Sequence, residues 1–102
     1  MIIDKGLFLQ PKLERSDVAK EMGISTSHFN EMFARFSDQS FTNFINNLRM
    51  EHAAKLLKDK SNYTIEAIAN ECGVPIRQTF YRLFSKKFGM TPAEYRRSMA
   101  EE

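Results

Sequence analysis

The chain has no tryptophan, one cysteine and two histidines in 102 residues. The single Cys72 excludes an internal disulfide and fits a reducing compartment. Cys72 stands before Gly73 with no histidine or basic residue beside it, so it has no activating partner in sequence. His28, His52 and Cys72 make a poor metal-ligand set; each is expected to be a packing or surface residue. No apolar run approaches the roughly 20 residues that a membrane helix needs. The opening MIIDKGLFLQ lacks the basic start and long apolar stretch of a signal peptide. Also missing are an alternating stretch of strand length, a carboxylate pair suited to acid–base work, and a glycine loop for phosphates. These absences argue against a membrane protein, a disulfide scaffold and an enzyme, and no cofactor or metal is expected.

What is present is a chain that can fill a core. Hydrophobic residues make up 42% of it, and nine phenylalanines are the main filler. The length suits one domain or two small subdomains. The net charge of +2 is modest but unevenly placed: the balance is −1 over residues 1–48, zero over 49–75 and +3 over 76–102.

The chain also repeats itself. VAKEMGIS (18–25) and IANECGVP (68–75) share an apolar–Ala–x–x–x–Gly–apolar pattern 50 residues apart. Downstream, Phe29, Met32, Phe33 and Phe44 match Phe80, Leu83, Phe84 and Tyr95 at a shift of 51, so the later copy has gained one residue after its glycine. Each copy reads as a short helix, a glycine turn and a second helix. Gly23 and Gly73 suit the positive φ of a helix C-terminus. Ala19 and Ala69 are small enough for a second helix to cross closely. Ser25 and Thr64 are expected N-caps, and Thr91-Pro92-Ala93-Glu94 has capping-box spacing with proline at the first helical position. Phe29, Met32, Phe33 and Phe36 fall at i, i+3, i+4 and i+7 and form the expected apolar face of helix 26–36.

Between the copies lies FTNFINNLRMEHAAKLLKDK (41–60), uninterrupted by glycine or proline. Its apolar residues predict one helix of about 18 residues, about 27 Å long. The reading is therefore all-α, with about seven helices: a short one within 5–12, then 16–22, 26–36, 41–58, 65–72, 76–88 and 93–99. Residues 1–40 form a first helix-turn-helix subdomain, 41–60 a linker helix and 61–102 a second subdomain.

The stretch IRQTFYRLFSKK (76–87) indicates a use for this architecture. Ile76, Phe80, Leu83 and Phe84 make a core-facing stripe that Phe88 continues. Gln78, Tyr81, Arg82, Ser85 and Lys86 occupy the other side. A second helix of a helix-turn-helix can enter a DNA major groove, and successive grooves on one duplex face lie about 34 Å apart. Two units on a helix of about 27 Å could meet both. Arg82 suits guanine or a phosphate, Gln78 adenine, and Tyr81 a thymine methyl or backbone oxygen. Arg77 lies near the stripe by helical angle but could reach out from the first turn. Lys86 and Lys87, a turn further on, suit phosphates. The competing reading is an all-α protein-interaction module, whose polar faces would hold a partner domain or a polymerase subunit.

These residues also carry a resemblance. VAKEMGISTSHF and IEAIANECGVPIRQTFYRLFSKKFGMTPAEYR, with its F-x-R-x-F…G-x-T-P-x-x-Y-R pattern, resemble the DNA-binding domain of AraC-family transcription regulators over about residues 7–97. INNLRMEHAAKLL is similar to regulators of Bacteroidetes type. The resemblance implies two helix-turn-helix units on a long helix, double-stranded DNA as partner, and a place at the C-terminal end of a longer protein. That protein would act in the cytoplasm, itself soluble or anchored to a membrane, and reach RNA polymerase through its other parts, while the isolated domain would be monomeric. By position it implies a base-reading face of Ser27, Asn30 and Glu31 in the first copy and Arg77, Gln78, Tyr81 and Arg82 in the second. Phosphate roles fall to Thr64, Thr79 and Lys86, with Lys87 beside them, and to Arg35 in the first copy. His28 matches a recurrent histidine of the family, with a phosphate or a helix-start role. The chain departs from the family at Asp38, where the second copy has Gly89, and at Glu31. Glu31 either accepts a hydrogen bond from cytosine or repels the phosphates.

Overall fold

The computed structural model describes residues 7–37, 39–59 and 62–100. Asp38 lies outside the described residues. A 3-10 turn at Leu7–Leu9 precedes six helices: α1 (Arg15–Met22), α2 (Thr26–Phe36), α3 (Phe41–Asp59), α4 (Ile65–Glu71), α5 (Arg77–Phe88) and α6 (Pro92–Ala100). No strand occurs among the described residues. The helix expected within 5–12 is this three-residue turn; the other six fall within a residue or so of their expected limits. No described helix is long and apolar enough to cross a membrane.

The helix limits follow from local chemistry. Ser25 Oγ accepts from the His28 N–H at 3.1 Å and Thr64 Oγ1 from the Ala67 N–H at 3.0 Å, each satisfying a first-turn donor. At α6 the box is reciprocal: Thr91 Oγ1 accepts from the Glu94 N–H, and Glu94 Oε1 accepts from the Thr91 N–H. The Thr91 backbone N–H, and then its hydroxyl, hold the Glu94 carboxyl below its ordinary pKa. Gly23 and Gly73 adopt φ of +75° and +88°. After each, the same pair of hydrogen bonds closes the turn: Gly23 N–H to Lys20 O and Ile24 N–H to Ala19 O, then Gly73 N–H to Asn70 O and Val74 N–H to Ala69 O. The repeat in sequence is thus a repeat of backbone hydrogen bonding.

Two separate cores result. Val18, Ala19, Phe29 and Phe33 pack with Phe41 and Ile45 from the first half of α3, joined by Phe8. Ile68, Ala69, Cys72, Val74, Phe80 and Phe84 pack with Met50, Ala53, Ala54 and Leu57 from its second half. The first core is a phenylalanine cluster, with Phe29 and Phe33 stacked at 5.9 Å and Phe41 set edge-on to both. At the far end of α3, Arg96 donates to the carbonyls of Leu57 and Tyr63, which ties α6 to the linker helix.

Three apolar residues depart from the expected faces. Met32 is 40% exposed, Phe36 69% and Ile76 65%. Phe36 lies in the last turn of α2, outside the buried cluster, where its ring makes an edge contact with Phe44 and a tilted one with Phe33. Ile76 precedes α5 as its N-cap residue, so it never joins the stripe that Phe80 and Phe84 form.

One buried charge was not foreseen. Arg49 is 8% exposed, midway along α3. Its Nε donates to Phe8 O at 2.7 Å, its Nη2 to the carbonyls of Gln10 and Pro11, and its Nη1 to Asn46 Oδ1. It therefore pins the segment Phe8–Pro11 across the linker helix.

Phe33 and Phe84 are 6% and 0% exposed. Phe33→Ala and Phe84→Ala should each cost about 3–5 kcal/mol in urea or thermal unfolding, whereas Phe36→Ala should stay within about 1 kcal/mol. A loss below that at Phe33 or Phe84 would misplace the core. Cys72 is fully buried, and burial pushes its thiol up to about 11. With so little thiolate near neutral pH, alkylation at pH 8 should be negligible in the native protein and prompt in denaturant, as read by mass spectrometry.

Candidate nucleic-acid interface

The equivalent turns hold α2 and α5 in equivalent ways. Phe29 and Phe33 anchor α2 as Phe80 and Phe84 anchor α5, at the constant shift of 51 residues. The faces turned away then correspond position for position. Ser27, Asn30, Glu31 and Ala34 lie at i, i+3, i+4 and i+7 of α2 and are all exposed. Gln78, Tyr81, Arg82 and Ser85 occupy the matching places on α5, with Gln78 and Arg82 exposed and Tyr81 and Ser85 half-buried. Six of the seven sequence-assigned base readers thus share two equivalent faces.

The seventh, Arg77, sits at the start of α5, and its Nη1 makes a 2.6 Å ion pair with Glu66 of α4. Its guanidinium also lies 4.8 Å from the centre of the Tyr81 ring. Both ion-pair partners are more than half exposed, so the pair is worth at most about 1 kcal/mol and can be exchanged for a better anion.

The phosphate candidates spread around this face. His28 and Thr79 are equivalent first-turn residues; His28 is exposed, Thr79 half-buried. Arg35 and Lys86 are equivalent and exposed in the last turns, where a cation also complements the helix dipole. Lys87 has a partner already, Glu51 of α3 at 3.5 Å, and lies over the Phe88 ring. The hydroxyl of Thr64 accepts from Ala67 and keeps its own proton for donation.

The two units differ at their edges. Glu14 is the N-cap residue of α1, where the second unit has Thr64, and its backbone N–H bonds the Asp17 carboxylate at 2.9 Å. The first unit thus carries two carboxylates at the start of α1 and a third, Glu31, on the exposed face of α2. The last turns differ too: α5 closes on Gly89 at φ +74°, α2 on extended Ser37.

Sequence reading missed Arg15. Its Nη1 donates to Asn30 Oδ1 at 3.0 Å, and its guanidinium lies 5.5 Å and 5.4 Å from the Phe33 and Phe41 ring centres. A residue from α1 thereby holds the amide of a base-reading candidate and commits its oxygen, leaving the Asn30 NH2 to donate. The repeat gave no hint of this, because Ile65 stands at the matching place.

Comparison with known proteins bears on the fold and the family. Residues 18–98 match the model of a helix-turn-helix domain family. An uncharacterized HTH-type transcriptional regulator of Escherichia coli strain K12, YpdC, is 34% identical over 88 residues, 86% of this chain but 30% of that protein. This chain thus spans under a third of that relative's length. Among solved structures, the C-terminal domain of AraT, a response regulator from Geobacillus stearothermophilus, superposes with a TM-score of 0.79 at 31% identity, covering 94% of this chain and 78% of that one. The DNA-binding domain of AdpA, solved in complex with a target DNA, shares the fold at a TM-score of 0.81 and 20% identity, covering 97% and 90%. With two equivalent glycine-turn units on one linker helix and a family match over residues 18–98, the chain belongs to the AraC-type helix-turn-helix family of DNA-binding transcription regulators.

Proposed function

We propose that this domain binds duplex DNA sequence-specifically as a monomer, with α2 and α5 in successive major grooves on one side of the helix. The reading is supported by the equal register of two polar faces on helices held by equivalent turns. The long dimension of the protein, 46 Å, leaves room for two units at the roughly 34 Å groove repeat. The family implies regulation of transcription, with RNA polymerase reached through the rest of a longer, cytoplasmic protein.

In this reading Arg82 donates two hydrogen bonds to guanine, Gln78 pairs with adenine and Tyr81 lies against a thymine methyl. Arg77 leaves Glu66 for DNA. Ser27 and Asn30 read the other groove, Asn30 through the NH2 that Arg15 leaves available. His28, Arg35, Thr64, Thr79, Lys86 and Lys87 hold the backbone and set the register without reading sequence. Lys87 does so in competition with Glu51. Glu14, Asp17 and Glu31 repel phosphate around α2, so the second unit is the stronger anchor.

Selection from a random duplex pool should return two contacted blocks about one helical turn apart. Affinity should fall with salt at a log–log slope of about −3 to −6, shallow because few phosphates are neutralised. Binding indifferent to salt, or absent at about 50 mM, would favour a protein-interaction module instead. Arg82→Ala should cost about 1–3 kcal/mol on the selected site and relax one position of it. Asn30→Ala should cost less; the opposite order would make the first unit the anchor. Glu31→Ala should tighten binding to selected and scrambled duplexes alike, whereas weakening only on the selected site would assign Glu31 to cytosine.

A further inference from the structure

Among the described residues, α1 and α2 have no extensive contact with α4, α5 or α6; the units are joined through α3 and one other segment that packs on both cores. On one face of α3, Asn43, Asn47 and Met50 line an open groove of about 240 Å3 whose far wall is Leu83, Lys86 and Lys87 of α5. No packed interface fixes the first unit to the second there. Arg49 and His52 belong to a different face of α3, and there Phe8–Pro11 crosses as a strap. Phe8 is part of the first core and sets its ring edge-on to His52. Leu9 packs on both cores. Its carbonyl runs so close to the second unit's turn that a Cβ on Gly73 would lie 2.5 Å from Leu9 O and 3.2 Å from Arg49 Nε. Arg49 holds the strap down through the carbonyls of Phe8, Gln10 and Pro11.

A hinge in the middle of α3, or a rotation of one unit about it, would have to pull Leu9 off one core or tear the strap from Arg49. We infer that Arg49 and the Phe8–Pro11 strap set the angle between the two recognition helices, and therefore the spacing between the two sequence blocks the domain accepts. Arg49 touches no base in this role; it is a positioning residue. One base pair inserted between the blocks turns the second by about 34–36° and moves it by about 3.4 Å. A rigidly set pair of helices cannot follow both blocks through that change, and a loosened pair can. The inference rests on the two-groove reading above.

The test uses the duplex selected by the unaltered protein, versions with one base pair added or removed between the blocks, and a version with the first block scrambled. For the unaltered protein, either spacing change should weaken binding about tenfold or more, close to the effect of losing a block's contacts. Arg49→Met should reduce that spacing penalty to about threefold or less while its affinity for the one-block duplex stays within about twofold of the unaltered protein's. Circular dichroism and melting establish that the variant is folded. If Arg49→Met does not fold, Leu9→Ala, which loosens the strap without removing the buried charge, carries the same expectation. An unchanged spacing penalty in a folded variant overturns the role of the strap while leaving two-groove binding intact. Selection of a single block by the unaltered protein removes the two-groove reading itself, and this inference with it.

Discussion

The guanidinium of Arg49 is the interaction on which the arrangement of this molecule depends. A cation buried in the middle of a helix is destabilising unless its donors are met. Here they are met by backbone carbonyls of the Phe8–Pro11 segment and by the Asn46 side chain. Burial lowers the arginine's pKa, yet arginine stays charged across the physiological range. The charge is thus permanent, and so is its demand for those carbonyls. The strap is held over the junction of two cores that α3 also joins, and the left-handed Gly73 turn lies beside it with no room for a side chain. Glycine is needed there twice over, for φ and for the approach of Leu9.

Within each unit the constraint is simpler. A left-handed glycine ends the first helix, two backbone hydrogen bonds close the turn, and two phenylalanines of the second helix share a core with a small alanine of the first. Because both units use the same device, their outward faces come out in the same register. The function rests on this equivalence of backbone, while the difference between the units rests on side chains. The second unit presents Arg77, Gln78, Arg82 and Lys86. The first presents Ser27 and Asn30 among carboxylates, with Arg15 drawn inward over two aromatic rings. The second face is therefore the more cationic of the two and the first the more acidic.

Much of this was legible in the chain. The repeat, the glycine turns, the caps at Ser25, Thr64 and Thr91, and the uninterrupted linker helix are local features. They are written in spacing and residue type over a few positions, and hydrogen bonding between near neighbours realises them. The register of the two recognition faces followed from the same 51-residue shift. The exposed phenylalanine at 36 was not legible, because helical periodicity specifies a direction and not where the partner surface ends. Ile76 was misread for a related reason: the extra residue of the second copy moves the helix start past it.

Three decisive features came from tertiary structure alone. Arg49 looks like any linker-helix arginine until a segment some 40 residues earlier lays its carbonyls across it. Arg15 gains its hold on Asn30 only when α1 and α2 cross. Arg77 is engaged by Glu66 only because the turn brings α4 and α5 together. Each joins a side chain to a group distant in sequence, and no local propensity encodes such a pairing. The sequence by itself determined the helices, their ends, the duplicated turn and the faces that point outward, since these depend on neighbours within a turn or two. Folding decided which charged groups on those faces are already engaged and how the two units are set against each other, since both depend on where the chain returns in space.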